Sequence, residues 1–318
     1  MGSPNQSKTN KKRRTGHPGG RPGKVAPATS RDWIGGARLR TLPLAIAPVL
    51  IGTGAAVAAV GDGRFHWIRA LLCLAVALFL QIGVNYANDY SDGIRGTDDF
   101  RVGPSRLTGS GKAKPRAVLT VALAFFALAG LAGLALVIAT QQWWLLLVGA
   151  AAIAAAWFYT GGKRPYGYFG LGELFVFVFF GLVATAGTEF VQALTVTQEG
   201  WLGAIAAGFV ACCALIVNNV RDIEADRASG KRTLTVLIGS TASRVLYIVL
   251  MGLAYGILAL VSLLYPLGWL GFFGLLVAVP ACLITATAKT SRELILALQL
   301  TGIVGLLYGV GLGAAFGF

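Results

Sequence analysis

Residues 67–99 read WIRALLCLAVALFLQIGVNYANDYSDGIRGTDD. The stretch from 67 to 88 is almost wholly apolar and reaches the ~20 residues that a helix needs to cross ~30 Å of hydrocarbon. It then ends on Asn85, Asn88, Asp89 and Asp92. Offsets of three, four and seven put these four side chains on one helix face. The stretch therefore predicts a spanning helix that carries a polar stripe to one surface of a membrane.

The rest of the chain agrees. Of 318 residues, 56% are hydrophobic and 13% charged, against roughly 25% charged in a soluble domain. A water-soluble globule is excluded. Coiled coil is excluded too, because the apolar residues come in unbroken runs. Nine such segments are expected to span, at about 41–60, 67–88, 116–139, 143–160, 169–190, 200–221, 243–265, 268–288 and 294–316. The fold class is all-α, a polytopic bundle of nine transmembrane helices. The chain holds 43 glycines, about twice the usual ~7% share. Gly305, Gly309 and Gly313, at four-residue spacing, predict a flat helix-packing face.

Charge sets the expected topology. Residues 1–31 carry eight basic side chains and no acid, a composition that cannot bury a core. They are expected to form a disordered cytoplasmic tail ahead of a membrane domain at 32–318. With the tail inside, 25 of the 27 lysines and arginines face the cytoplasm and only Arg64 and Arg69 face out, as the charge-bias rule requires. An odd span count leaves the C-terminus outside. The bilayer is the expected partner, and no nucleic acid is expected.

Acids are concentrated. Seven of the 13 fall in two strings, Asp89, Asp92, Asp98 and Asp99, then Asp222, Glu224 and Asp226. The second string, 218–233, reads NNVRDIEADRASGKRT, and Asn219, Asp222 and Asp226 repeat the helical spacing. Both strings end spans that run the same way, so both lie at one membrane depth and are expected to share a cavity. Carboxylates at helix C-termini are disfavoured by up to about 1 kcal/mol each, so cations must neutralise them. The cysteines have no CxxC spacing, and the two histidines lie in a tail and a loop, which leaves oxygen ligands. Carboxylate and amide oxygens suit Mg²⁺, held together with a substrate's phosphate oxygens. The implied substrate bears a phosphate or diphosphate.

Basic residues near span ends fit that substrate: Arg38, Arg40, Arg101, Arg106, Lys112, Lys114, Lys163, Arg164, Lys231 and Arg232. Arg40, Lys163 and Arg232 are preferred for their closeness to a span end. Glu173 is an intramembrane acid and so a site candidate.

The N-D-x-x-D string of span two and the D-x-x-x-D string of span six together resemble the UbiA superfamily of intramembrane aromatic prenyltransferases. The likeness runs from Arg38 to the last span. Residues 37–53 (ARLRTLPLAIAPVLIGT), 88–99 (NDYSDGIRGTDD), 101–112 (RVGPSRLTGSGK) and 159–181 (YTGGKRPYGYFGLGELFVFVFFG) most resemble the branch that acts on 1,4-dihydroxy-2-naphthoate in menaquinone biosynthesis in bacterial plasma membranes. The commoner first motif has a further Asp where this chain has Gly96; the nearest acid is Asp98.

The resemblance implies two Mg²⁺ ions held by Asn88, Asp89, Asp92, Asp98, Asp222 and Asp226, with Asp92, Asp222, Asp226 and Lys163 catalytic. It implies a polyprenyl diphosphate gripped by Arg40, Arg101, Arg106, Lys163, Lys231 and Arg232. Asn85, Tyr159, Tyr168, Glu173 and Asn218 would meet the aromatic acceptor or the isoprenoid. The implied reaction alkylates the naphthalene ring at its carboxyl-bearing carbon, with loss of CO₂ and diphosphate. Other acceptors, 4-hydroxybenzoate or homogentisate, remain open. A cation transporter is the reading from a different class; its acids would sit near the midplane on broken helices, whereas these sit at span ends.

Overall fold

The computed structural model describes residues 25–61, 66–97 and 106–318, and among these every regular element is helical. A short helix α1, Ser30–Gly36, is followed by α2, Pro43–Val60; α3, Trp67–Arg95; α4, Pro115–Thr140; and α5, Leu145–Phe158. Then come α6, Gly172–Ala193; α7, Gln198–Ala228; α8, Leu234–Ser262; α9, Pro266–Thr287; and α10, Ser291–Gly317. The middle of α6, Phe177–Val183, is π-helical.

Eight of the described helices are long and apolar enough to cross a membrane. Each of the nine expected segments has a helix, but the fourth, α5, has 14 residues. That is about 21 Å at 1.5 Å per residue, short of ~30 Å. Gly162 at φ +76° lies just after it. Residue 31, the expected end of the basic tail, lies in the first turn of α1. Thr29 caps that helix in a reciprocal box with Asp32, and the Lys112 ammonium holds the Asp32 carboxylate at 2.7 Å. This pairing keeps the Asp32 carboxyl well below the usual carboxylate range, Lys112 having the largest effect and the Thr29 bonds adding to it.

Small residues bring the helices together. A Cβ on Gly54 of α2 would lie 2.1 Å from the Gly313 carbonyl oxygen of α10, and one on Gly309 would lie 2.7 Å from Ala47. Gly305, Gly309 and Gly313 thus face α2, the packing role that their spacing predicts. Gly181 meets Gly208 in the same way and joins α6 to α7. Against this core, α3 and α7 each run about two turns past their apolar segments. Those extra turns carry Asp89 and Asp92 on α3 and Asp222, Glu224 and Asp226 on α7.

Candidate functional site

A cavity of about 550 Å³ lies among α2 to α7. One end is polar, with Arg38, Asn85, Asn88, Asp92, Arg106, Asn218, Asn219, Asp222 and Lys231 in its wall. The remainder is mostly apolar, with Gln81 and Thr188 among its few polar side chains, and reaches Val49, Cys73, Leu136 and Val191. Cys73 and Asp92 are about 28 Å apart along α3 at 1.5 Å per residue, so the cavity runs through most of a bilayer's hydrocarbon. One acid of each string, Asp92 and Asp222, faces this space, and Asp226 lies off its wall.

The first string divides its work. Asp92 accepts a hydrogen bond from the Tyr168 hydroxyl at 2.9 Å, and Arg106 stands 3.6 Å from its other oxygen. Asn88 accepts from the Thr160 hydroxyl at 2.7 Å. Asp89 does not line the cavity. Its two oxygens take the backbone N–H groups of Leu107 and Thr108 at 2.9 and 2.8 Å, so it braces the loop that presents Arg106. Asn85 lines the cavity and also donates to the Ala37 carbonyl at 3.0 Å, which fixes the turn that carries Arg38.

The second string behaves alike. Arg221 grips Asp222 with two bonds of 2.8 and 2.6 Å and donates to Asn218 at 2.9 Å. Lys231 lies 3.5 Å from Asp226, whose Oδ2 is buried with no hydrogen-bond partner. Asn219 donates to Glu173 at 3.1 Å. Glu224 points away from the site and pairs with Arg227 at the surface.

Asp92, Asp222 and Asp226 therefore each have a basic neighbour from the chain itself. Among the described residues no three His, Cys, Asp or Glu side chains form a ready-made ion cage. The oxygen donors are split between two helices across one cavity, the arrangement expected when a substrate's phosphate oxygens complete a Mg²⁺ site. Asn88, Asp92, Asp222 and the open oxygen of Asp226 fit that ion by donor type.

Several residues singled out from sequence stand elsewhere. Arg40 and Arg232 are exposed and off the cavity wall. Lys163 is exposed too, on a turn whose Thr160 and Gly162 carbonyls accept from Arg95. Tyr168 and Glu173 lie behind the wall, against Asp92 and Asn219 respectively. Burial, then the charge of Asp92, pushes the Tyr168 hydroxyl up to about 12, so it stays a donor. Tyr159 and Asn218 do line the cavity. Asp98 and Arg101 lie outside the described residues.

Arg38, not Arg40, is the arginine of its turn that reaches the cavity. It adopts a left-handed backbone at φ 52°, and burial pushes its guanidinium down to about 9, with Arg106 adding to the fall and Asp89 opposing it. Arg221 was not among the expected site residues. It directly precedes Asp222, and only the folded geometry shows it turning back on that acid.

Comparison with known proteins agrees with the geometry. Residues 45–295 match the model of the UbiA prenyltransferase family. The chain is 50% identical over 295 residues to a 1,4-dihydroxy-2-naphthoate octaprenyltransferase of Mycobacterium tuberculosis, covering 92% of this chain and 98% of that one. It is 38% identical to the protein of the same name from Escherichia coli, covering 68% and 71%. Among solved structures, a UbiA homolog from Archaeoglobus fulgidus bound to GPP and Mg²⁺ superposes with a TM-score of 0.62 at 16% identity, covering 89% of this chain and 99% of that one. An apo UbiA homolog from Aeropyrum pernix gives the same TM-score at 17% identity, covering 85% and 96%. With its paired aspartate strings at the polar end of an intramembrane cavity, this chain belongs to the UbiA prenyltransferase family.

Proposed function

We propose that the protein transfers a polyprenyl group from a polyprenyl diphosphate to 1,4-dihydroxy-2-naphthoate, releasing CO₂ and diphosphate and forming the demethylmenaquinone skeleton. The observation that carries this reading is one continuous cavity, acidic and basic at one end and mostly apolar for the rest of its depth. A lipid-tailed diphosphate has that distribution of polarity. The relatives named for the same reaction support the acceptor.

The residues divide the chemistry. Arg38, Arg106 and Lys231, all in the cavity wall, are placed to donate to diphosphate oxygens, the arginines in a fork and Lys231 as a point charge. When bound, Mg²⁺ supplies charge neutralisation of the leaving diphosphate; Asn88, Asp92, Asp222 and Asp226 are the donors that would hold it, and two ions are proposed. The allylic C–O bond breaks and its electron pair leaves with the diphosphate. Tyr159, Tyr166 and Phe175 present aromatic faces to the cation. The apolar walls keep water from quenching it. The ring carbon bearing the carboxyl attacks, and the C–CO₂ electron pair restores aromaticity as CO₂ leaves. Asn219, whose amide is held by Glu173, orients an acceptor hydroxyl.

We place the protein in a bacterial plasma membrane, with the N-terminus cytoplasmic and, with α5 crossing as a shortened ninth span, the C-terminus outside. The test is prenyl transfer by purified protein in proteoliposomes, with labelled polyprenyl diphosphate, Mg²⁺ and a panel of acceptors. Product with the dihydroxynaphthoate and none with 4-hydroxybenzoate or homogentisate is expected. Product with another acceptor alone would overturn the assignment.

A further inference from the structure

Tyr168 stands between the two aspartate strings without lining the cavity. Its hydroxyl donates to Asp92 at 2.9 Å and lies 3.2 Å from the Thr97 hydroxyl. The Lys231 ammonium sits 5.2 Å from its ring centre and the Arg95 guanidinium 5.4 Å, both within cation–π range. Lys231 in turn faces Asp226 at 3.5 Å and donates its backbone N–H to the Asp226 carbonyl at 2.8 Å. The Tyr168 carbonyl accepts the Arg232 N–H at 3.0 Å. A chain of contacts thus runs from Asp92 through Tyr168 and Lys231 to Asp226, joining α3 to the end of α7 through the loop before α6.

We infer that Tyr168 is a positioning residue that sets the two aspartate strings relative to each other, so that both engage one metal–diphosphate group. Its two ends act differently. The hydroxyl fixes the rotamer of Asp92 and occupies one of its oxygens, leaving the other toward Arg106 and the cavity. The ring holds the Lys231 ammonium where it meets Asp226 and stops it from crossing to Asp92. Outer partners of a ligating carboxylate commonly change metal affinity about 10- to 100-fold when removed, and this residue touches the surroundings of both strings. The inference rests on the proposed function for the identity of the ligand, but its test does not need turnover.

The test measures Mn²⁺ binding by loss of the free-ion EPR signal, on purified full-length protein with and without inorganic diphosphate. Tyr168→Phe keeps the ring and loses the hydroxyl; Tyr168→Leu loses both. Apparent Mn²⁺ affinity in the presence of diphosphate is expected to fall about tenfold in Tyr168→Phe and further in Tyr168→Leu. Thermal melting without metal should stay near wild type for Tyr168→Phe. Wild-type Mn²⁺ affinity in both variants overturns the inference, and so does a fall in melting temperature with affinity unchanged, since that marks a purely structural role. If wild type binds Mn²⁺ and diphosphate but prenylates no acceptor, the proposed function fails while the positioning role stands.

Discussion

The Asp89 carboxylate accepts the Leu107 backbone N–H at 2.9 Å from a buried position on α3. With the matching bond to Thr108, it fastens the loop that carries Arg106 over the polar end of the cavity. The two acids of the N-D-x-x-D string, Asp89 and Asp92, thus serve different ends. Asp89→Asn keeps one acceptor oxygen and offers an NH₂ group where a second acceptor is needed. It is expected to lower stability by about 1–3 kcal/mol, the scale of a buried hydrogen bond to a charge, measured by thermal melting in detergent.

Asp92→Asn and Asp222→Asn are expected to behave in the opposite way. Both acids face the cavity and both sit near basic groups gathered at a helix end. Neither holds a loop backbone in the way that Asp89 does. Each substitution should abolish Mg²⁺-dependent prenyl transfer, while the protein still inserts and melts within a few degrees of wild type. Full activity in either variant would remove that residue from the metal site.

Arg38 and Lys163 separate what geometry says from what closeness in sequence suggests. Arg38→Ala removes a desolvated cation from the cavity wall and is expected to lower kcat/KM about 100-fold, or about 2.7 kcal/mol of transition-state stabilisation. Lys163→Ala removes an exposed charge and should cost less than about threefold. Steady-state kinetics on the two variants, side by side, decide the matter. A large loss at Lys163 would mean that the turn at 161–164 closes inward during turnover.

Much of the fold was legible because the bilayer imposes it. Runs of apolar residues long enough to span leave few structures other than helices, and Asn85, Asn88, Asp89 and Asp92 kept helical spacing to the end of one run. That spacing also brought Asp92 and Asp222 to one cavity. Spacing says which face of a helix a residue lies on, but not which partner takes its side chain. Asp89 was therefore indistinguishable from Asp92 until the 106–111 loop was in place. Closeness to a span end favours Arg40 over Arg38, whereas the left-handed turn at Arg38 decides which one reaches the cavity. The shortness of α5 was hidden by apolar residues that continue on both sides of it.

The pairing of Asp32 with Lys112 links α1 to the loop that Asp89 holds. The carboxyl of Asp32 is lowered in the folded protein, chiefly by the Lys112 bond and then by Thr29. A lowered carboxyl contributes stability above its ordinary value of about 3.9 and loses it as pH falls toward the folded value. Asp32→Asn should therefore melt slightly below wild type at pH 7, and the gap should close as pH drops below about 4. Because the pair is only part-buried, salt should also narrow the gap. A gap that persists unchanged at low pH would show that Asp32 acts through its helix cap alone.

The close approach of α2 and α10 sets the last expectation. A methyl group on Gly54 would lie 2.1 Å from the Gly313 carbonyl oxygen, with Gly313 C and Cα each at 2.8 Å. These are backbone atoms, which cannot rotate away as a flexible side chain can. The helices must separate, and overpacking of this kind costs about 1–3 kcal/mol. Gly252 of α8 has nothing within 4 Å of the same position, and alanine is the better helix former. Gly54→Ala should thus lower the melting temperature in detergent while Gly252→Ala leaves it unchanged or raises it. Because α2 also walls the cavity through Leu44, Ala45 and Val49, Gly54→Ala should raise the KM for a long polyprenyl diphosphate, a second readout that the surface glycine does not share. Equal melting temperatures for the two variants would mean that α2 and α10 stand farther apart than this packing requires.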